Sequence, residues 1–277
     1  MRVIKNSVIT NNVAKLCKQA AYILPNEITR ALKQSKQKER GQAKKILELT
    51  LKNAEIAKKQ VFPLCQDTGT AVLFIEIGQD LKIDGSLENA LQAGIKKGFT
   101  ENYLRKSIVS DPLFIRKNTK TNTPAVIHYN IVKGNKLKIN LMLKGGGAEN
   151  KSQIKMFNPT ASKEEIIEFI LSTVKAAGPY ACPPFIIGIG LGSNFEGAAL
   201  LSKQALLRNK SNKNPFYKKL EKEILQKINK THIGAQGLGG KITALKVFIE
   251  YAPCHIASLP CAVNICCHSA RHAGVVL

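Results

Sequence analysis

The feature that most constrains this chain is a turn, carrying a cysteine and an acid, that runs directly into a strand. The segment Pro63-Leu64-Cys65-Gln66-Asp67-Thr68-Gly69-Thr70 precedes the mostly apolar run from Ala71 to Ile77. Because short apolar runs of this kind form buried strands, Cys65 is held firmly at the strand entrance. Asp67 lies two residues further on and reaches whatever the cysteine binds. The residues alone allow two interpretations. In the first, Cys65 is a metal ligand and Asp67 acts on the substrate beside it. In the second, Cys65 is a buried structural cysteine and Asp67 caps a turn.

Composition describes an ordinary globular chain. Its 277 residues are 44% hydrophobic, 22% charged and 6% aromatic, which is typical of a chain long enough for one large or two small domains. We predict a single domain over 1–277, with a helical portion at about 1–60 and an α/β portion at about 61–277. No window approaches the roughly 18 uninterrupted apolar residues of a membrane span. The first six residues lack the apolar core of a signal peptide, so we expect a cytoplasmic protein with no membrane association.

The net charge of +23 is the most unusual bulk property. It raises nucleic-acid binding as a non-enzymatic alternative. The excess is mostly lysine spread along the chain, and aromatic residues are sparse near the lysine-rich stretches. No helix-turn-helix, zinc-finger or RNA-recognition signature is present in the sequence. We therefore expect the charge to attract small acidic substrates rather than nucleic acid.

Hydrophobic periodicity predicts an α/β fold, with a mixed sheet, surrounding helices and a helical N-terminal segment. Apolar residues recur at helical spacing in 10–58, 87–104, 163–177 and 197–207. Strand-like runs occupy 71–77, 125–132, 136–143, 185–192 and 244–250. Gly134-Asn135 is a turn dipeptide, and it predicts that the second and third of these strands pair as a hairpin.

The cysteine pattern indicates thiols that act in catalysis or bind a metal. There are seven, at positions 17, 65, 182, 254, 261, 266 and 267, an odd number with uneven spacing. This pattern favours a reducing compartment over a secreted disulfide framework, and the absence of a Cys-x-x-Cys pair in the sequence argues against a zinc ribbon. Cysteines occur on three separate turns beside apolar strands, at 65, at 182 and near 267. Three thiolates would leave one iron of a cubane cluster without a protein ligand, which makes that iron a Lewis acid.

Glycine-rich segments mark three further places. Gly145-Gly146-Gly147 allows close backbone approach and directs several N–H groups into one concavity, so we expect an anion site that includes Gly146; a flexible loop is the alternative. The runs at 188–192 and 237–241 imitate nucleotide-binding loops. The first lacks the acidic residue of a dinucleotide site, and the second has Ile242 where Ser or Thr is required. Neither run predicts a nucleotide site.

Several segments together resemble one enzyme family. They are Pro-Leu-Cys-Gln-Asp-Thr-Gly-Thr, Lys-Gly-Gly-Gly-Ala-Glu-Asn-Lys-Ser, Gly-Ile-Gly-Leu-Gly, His-Ile-Ala-Ser-Leu-Pro and Asn-Ile-Cys-Cys-His-Ser-Ala-Arg-His. The chain resembles the oxygen-sensitive iron–sulfur hydro-lyases, which are the class I fumarases and the L-tartrate dehydratases. The resemblance covers nearly the whole chain from about residue 10.

The resemblance implies a [4Fe-4S] cluster held by Cys65, Cys182 and Cys267. The fourth iron would take the hydroxyl and one carboxylate of the substrate. Cys267 is chosen over Cys266 because the family ligand directly precedes the histidine of a Cys-His-x-Ala-Arg pattern. The cysteines at 254, 261 and 266 depart from the family pattern.

The same resemblance implies the residues that contact substrate. Gln66 and Asp67 would lie beside the open iron, with Asp67 as the catalytic acid that protonates the departing hydroxyl. Arg105 would bind a substrate carboxylate, as guanidinium does through two parallel hydrogen bonds. His255 would also contact the substrate.

The chain ends at Leu277, where single-chain members of the family continue into a further domain that supplies the catalytic base. We therefore expect the α subunit of a two-subunit enzyme, inactive without its β subunit and assembled as α2β2 or a similar hetero-oligomer. The expected reaction is hydration of fumarate to L-malate, a step of the tricarboxylic acid cycle. The alternative is the α subunit of L(+)-tartrate dehydratase. Fumarate is preferred because Gly-Ser-Asn-Phe-Glu at 192–196 is closer to fumarase α chains.

Overall fold

The structure, a computed structural model, describes residues 2–60 and 62–277. Its helices are α1 (Asn6–Tyr22), α2 (Asn26–Lys38), α3 (Gly41–Lys58), α4 (Leu87–Glu101), α5 (Gly146–Glu149), α6 (Lys163–Ala177), α7 (Phe195–Ala205) and α8 (Pro215–Asn229). Its strands are β1 (Arg2–Lys5), β2 (Thr70–Gly78), β3 (Leu81–Asp84), β4 (Val126–Val132), β5 (Leu137–Lys144), β6 (Gln153–Phe157), β7 (Phe185–Ser193), β8 (Ala244–Cys254), β9 (Leu259–Cys266) and β10 (His272–Val276). The predicted α/β class, mixed sheets and helical N-terminal segment are confirmed. Within the described residues, no helix combines the length and apolarity needed to cross a membrane.

The chain folds into two compact units. The first unit contains Met1–Pro25, Asn53–Gly146 and Arg271–Leu277, and the second contains Asn26–Lys52 and Gly147–Ala270. Each unit therefore gathers segments that are distant in sequence. The single domain expected over 1–277 stays a prediction.

The first unit has a four-stranded sheet in the order β10-β5-β2-β4. The central strand β2 pairs in parallel with β4 and antiparallel with β5. Helices α1 and α4 cover this sheet, and side chains such as Val13, Leu73, Ile95, Phe99 and Ile139 form its buried core. Because β2 is buried along most of its length, the turn that enters it is fixed in position.

The predicted hairpin of β4 and β5 is wrong. Both strands pair with β2, which lies between them. The connection crosses the end of β2, where Gly78 N donates to Lys136 O and Asp80 N donates to Gly134 O, each at 2.9 Å. A Cβ on Gly78 would lie 2.3 Å from Gly134 O, so glycine permits the crossing. A turn dipeptide indicates that the chain reverses, and it does not identify the neighbour of each strand.

The second unit has a four-stranded sheet in the order β6-β9-β7-β8. The central strand β7 is parallel to β8 and antiparallel to β9. A Cβ on Gly188 would lie 2.1 Å from Ser202 O, and a Cβ on Gly190 would lie 2.0 Å from Ala198 O. These glycines therefore allow α7 to pack directly on β7. This close packing explains the glycine run at 188–192, and nucleotide binding is not needed to explain it.

The two sheets share one topology. In each, a central strand has a parallel neighbour on one side and an antiparallel neighbour on the other, with an antiparallel outer strand beyond it. In each, the chain enters the central strand from a turn that carries a cysteine, Cys65 before β2 and Cys182 before β7. The two cysteines thus occupy equivalent places in the two units.

Candidate active site

The Asp67 carboxylate is held by two backbone donors in the first unit. Oδ1 accepts from Gly69 N at 3.0 Å and Oδ2 accepts from Gly146 N at 2.8 Å. The first contact closes the turn, and the second comes from the glycine run that follows β5. Asp67 is half-buried, so the carboxylate is both oriented and accessible.

Arg271 contacts the turn that carries Asp67, although the sequence did not predict a place for it there. It is 2% exposed, and its Nη1 donates to the backbone carbonyl oxygen of Asp67. Its own carbonyl accepts from Leu143 N at 2.9 Å, which fixes it against β5. The available signal was an arginine at the entrance of the apolar strand β10, inside the Cys-His-x-Ala-Arg pattern. An arginine at the start of a strand is usually exposed to solvent, whereas Arg271 is buried.

Arg105 lies at the same turn. Thr68 Oγ1 donates to the Arg105 carbonyl oxygen at 2.5 Å. The fully buried Asn122 donates from Nδ2 to Gly69 O at 3.1 Å and accepts from Ser107 N at 2.7 Å. The segment that begins at Arg105 is therefore attached to the Asp67 turn, and the Arg105 side chain is exposed.

The first unit thus brings together four of the predicted catalytic and substrate-binding residues. Besides Asp67 and Arg105, they are Gly146, which binds the carboxylate, and Gln66, which precedes it and is exposed. Cys65 begins the same turn and is half-buried. An acid, an amide and a thiol therefore lie on one turn, and the backbone of the Arg105 segment is attached to that turn.

Cys182 and Cys267 are neighbours in the second unit. Cys182 has a φ of 53° after a short 3₁₀ helix at Gly178–Ala181, and its carbonyl accepts from His268 N at 3.4 Å. His268 Nδ1 lies 3.0 Å from the same oxygen. Cys267 directly precedes this histidine and follows the end of β9. Both cysteines lie where β7 begins.

Burial separates the seven cysteines into two groups. Those at 17, 261 and 266 are buried, whereas those at 65, 182, 254 and 267 are half-buried or exposed. Burial raises the pKa of the Cys17 thiol and of the Cys261 thiol to about 12. Because a metal binds thiolate, these two are poor ligands. The three predicted ligands belong to the accessible group, so their donor chemistry fits an iron–sulfur cluster.

No three His, Cys, Asp or Glu side chains among residues 2–60 and 62–277 are grouped as ligands of a single metal ion would be. A cubane cluster makes a different demand, because each of its thiolate ligands binds a different iron atom.

His255 lies at the other end of the second sheet. Cys266, next to Cys267, pairs with Ile186 at the start of β7, whereas Cys254, next to His255, pairs with Ser193 at its end. Seven residues of strand at about 3.3 Å each separate these positions by roughly 20 Å. His255 is exposed, and its Nδ1 accepts from Ala257 N at 3.1 Å. Within one chain, His255 is not grouped with Cys182 and Cys267.

Comparison with known proteins agrees with these motifs. The family model described as fumarate hydratase (Fumerase) matches residues 10–276. A protein of Methanocaldococcus jannaschii named "Putative L(+)-tartrate dehydratase subunit alpha" is 39% identical over 275 residues, which is 96% of each chain. The L(+)-tartrate dehydratase subunit alpha of Escherichia coli K12 is 28% identical over 274 residues, covering 97% of this chain and 90% of the relative. The chain therefore belongs to the fumarate hydratase family, and it is a hydro-lyase α subunit of the class I fumarate hydratase and tartrate dehydratase type.

Proposed function

We propose that this chain is the α subunit of a [4Fe-4S] hydro-lyase that interconverts a four-carbon 2-hydroxydicarboxylate and its dehydrated product. The observation that carries the proposal is the Asp67 carboxylate, fixed by Gly69 N and Gly146 N on the turn that begins with Cys65. A reaction that expels hydroxide needs a positioned acid at the leaving oxygen. The net charge of +23 supports an anionic substrate.

Cys65, Cys182 and Cys267 are the proposed cluster ligands. When bound, the cluster supplies a Lewis acid, because one iron has no protein ligand and polarises the hydroxyl and carboxylate of the substrate. Three features support this assignment: accessible thiols, equivalent positions of Cys65 and Cys182 before their central strands, and the Cys182 carbonyl contact to His268. In sequence, Arg271 follows Cys267 by only four residues.

Asp67 is the proposed catalytic acid. On dehydration the carbon–oxygen bond breaks, its electron pair remains on oxygen, and the Asp67 proton completes the water molecule. The proton lost from the neighbouring carbon goes to a base, and the electron pair of that carbon–hydrogen bond forms the double bond. Gln66 and Gly146 are the proposed hydrogen-bonding groups for the substrate, and Arg105 is the proposed partner of one carboxylate.

A β subunit is the proposed source of the base. The relatives are named as α subunits, and this chain covers 88% to 96% of their length, which supports a partner chain. His255 lies roughly 20 Å from Cys182 and Cys267 within one α chain, by strand length. A role for it at the substrate therefore requires a second α chain, and the proposed α2β2 assembly supplies one.

The substrate has two candidates, fumarate with L-malate and L(+)-tartrate. Residues 192–196, which favoured fumarate in the sequence, include Asn194, whose side chain accepts from Gly197 N at 2.9 Å as the N-cap of α7. That capping role accounts for part of the segment and weakens its value as a substrate signal. The names of the relatives favour L(+)-tartrate.

The experiment is reconstitution of the α and β chains with iron and sulfide without oxygen. Turnover is then measured separately with L-malate, fumarate, L(+)-tartrate and D(−)-tartrate. We expect turnover with one of these substrates, lost on exposure to air. A fully loaded complex that converts none of the four would contradict the proposed function.

A further inference from the structure

Residues 105–122, which we call the arm, leave the Asp67 turn and return to it. At the start of the arm, the Arg105 carbonyl oxygen accepts a hydrogen bond from a side chain of the turn at 2.5 Å. At its end, the fully buried Asn122 donates from Nδ2 to a backbone carbonyl of the turn at 3.1 Å. The turn that carries the acid therefore also fixes the base of the arm.

The arm has a paired stem and a capped tip. Residues 108–110 run antiparallel to residues 117–119, with two backbone hydrogen bonds of 2.8 and 2.9 Å. At the tip, Asp111 Oδ2 accepts from Phe114 N at 2.6 Å and from Ile115 N at 2.7 Å. A side-chain acceptor of this kind holds a tight turn in one conformation. The tip is therefore ordered before it binds anything, which lowers the entropy lost on association.

The tip exposes large apolar side chains. Leu113 is 72% exposed, Phe114 is 84% exposed and Ile115 is 80% exposed. Among residues 2–60 and 62–277 this is the longest unbroken run of exposed large apolar side chains. Single exposed apolar residues are ordinary, whereas a group of them marks an interaction surface. The capped tip therefore presents a surface that a partner can bury.

Charge indicates which partner this is. The arm carries five basic residues, at 105, 106, 116, 117 and 120, and one acid, Asp111. The carboxylate of that acid is occupied by backbone donors of the tip. A second copy of this chain, with its net charge of +23, meets the arm with like charge. A different chain with an acidic surface meets it with complementary charge.

The position of the arm indicates the same partner. A catalytic base must come within hydrogen-bond reach of the substrate. The β subunit, as the proposed source of that base, must therefore approach the Asp67 turn. The arm begins and ends at this turn, so it lies where the β subunit has to dock.

We propose that the arm tip, Leu113-Phe114-Ile115, docks into an apolar pocket with an acidic rim on the β subunit. This inference rests on the proposed function, which supplies the β subunit. Docking of the tip restrains the arm and, through its base, the backbone of Arg105. Assembly of the two chains and the placement of Arg105 are thereby linked.

The first test compares two equally exposed phenylalanines. Phe114→Ala removes the central side chain of the tip, whereas Phe216→Ala removes one that is 82% exposed at the start of α8. The Kd between the α and β chains, both prepared without oxygen, is measured by sedimentation. We expect Phe114→Ala to raise this Kd by about tenfold or more, as the loss of a central interface aromatic does, and Phe216→Ala to change it by less than about twofold.

The second test concerns the cap and the charge. Asp111→Ala removes the acceptor that orders the tip, so we expect Kd to rise about three- to tenfold. Asp111→Asn keeps an acceptor oxygen and should recover part of the affinity. Higher salt should weaken the association of the unmodified chains, because it screens the basic arm from an acidic rim. Self-association of the isolated α chain should be the same in Phe114→Ala and in the unmodified chain.

An unchanged Kd in Phe114→Ala, or equal changes in Phe114→Ala and Phe216→Ala, would overturn the docking role. A loss of α self-association with an unchanged αβ Kd would overturn it too and would assign the tip to a second copy of this chain. Failure of the unmodified chains to associate would also reject it. An αβ complex that forms through the tip but converts no dicarboxylate would reject the proposed function alone. Full turnover with an unchanged Kd in Phe114→Ala would reject the docking role alone.

Discussion

Gly146 donates its backbone N–H to Asp67 Oδ2 at 2.8 Å, although the two residues are 79 positions apart in sequence. Gly69 N binds the other carboxylate oxygen at 3.0 Å. Backbone donors on fixed elements hold a carboxylate more precisely than mobile side chains do. The packing of β2 beside β5, which sets these two backbone segments, therefore determines where the acid points.

Asp67→Asn tests the catalytic acid. The amide is almost the same shape and keeps one acceptor oxygen, but it has no carboxyl proton to transfer. We expect kcat of the reconstituted αβ enzyme to fall by about 10²- to 10⁴-fold, the usual contribution of a positioned acid or base. Iron and sulfide contents should match the unmodified protein. Full turnover in a loaded Asp67→Asn enzyme would remove Asp67 from the mechanism.

Asn122→Ala tests the attachment of the Arg105 segment. Asn122 is fully buried, bridges Gly69 O and Ser107 N, and has a φ of 59° that asparagine tolerates better than alanine. We expect the free energy of unfolding to fall by about 1–3 kcal/mol in urea denaturation. The KM for substrate should rise, because Arg105 loses its fixed backbone. Asn12→Ala removes only an exposed contact to Val8 O and serves as the control; equal effects in the two variants would contradict this account.

Gly78→Ala tests the corrected strand order. The new Cβ would lie 2.3 Å from Gly134 O, where the β4–β5 connection crosses the end of β2. The backbone at Gly78 and the backbone at Gly134 cannot easily move apart to relieve this clash. We therefore expect a loss of about 1–3 kcal/mol in the free energy of unfolding. Gly147→Ala should be nearly neutral in the same urea experiment. A stable Gly78→Ala protein would argue against the crossing.

Alkaline pH tests the two deeply buried thiols. Burial raises the pKa of Cys17 and of Cys261 from 9.0 to about 12. Folded protein therefore keeps protons that the unfolded chain loses above pH 9. Their contribution to stability is complete below pH 9 and is lost as the pH rises toward 12, with a slope of at most about 1.4 kcal/mol per pH unit for each thiol.

The measurement is urea denaturation between pH 8 and pH 11. We expect the free energy of unfolding to fall less steeply in a Cys17→Ala, Cys261→Ala double variant than in the unmodified chain. Identical slopes would show that these thiols do not titrate differently in the folded and unfolded states.

The sequence predicted local structure well, but it predicted contacts between residues far apart in the chain poorly. The cysteine turn before 71–77 and the helix at 163–177 were predictable, because each has its own signal: an apolar run, or helical periodicity ended by Gly178-Pro179. Arg271 was not, since its contact to Asp67 joins residues 204 positions apart. The glycines at 188 and 190 imitated a ligand loop because close packing of a helix and close approach of a ligand demand the same lack of a side chain.

The most direct test of the central claim is the cluster content of single cysteine variants. The α chain is reconstituted without oxygen as Cys65→Ala, Cys182→Ala and Cys267→Ala, with Cys254→Ala as an accessible control and Cys266→Ala as a neighbouring one. Iron and sulfide are measured together with the visible absorbance. We predict about four iron and four sulfide atoms per unmodified chain and per control, as a [4Fe-4S] cluster requires, and loss of the cluster in the three ligand variants. A full cluster in any of those three, or its loss in Cys254→Ala, would contradict the account.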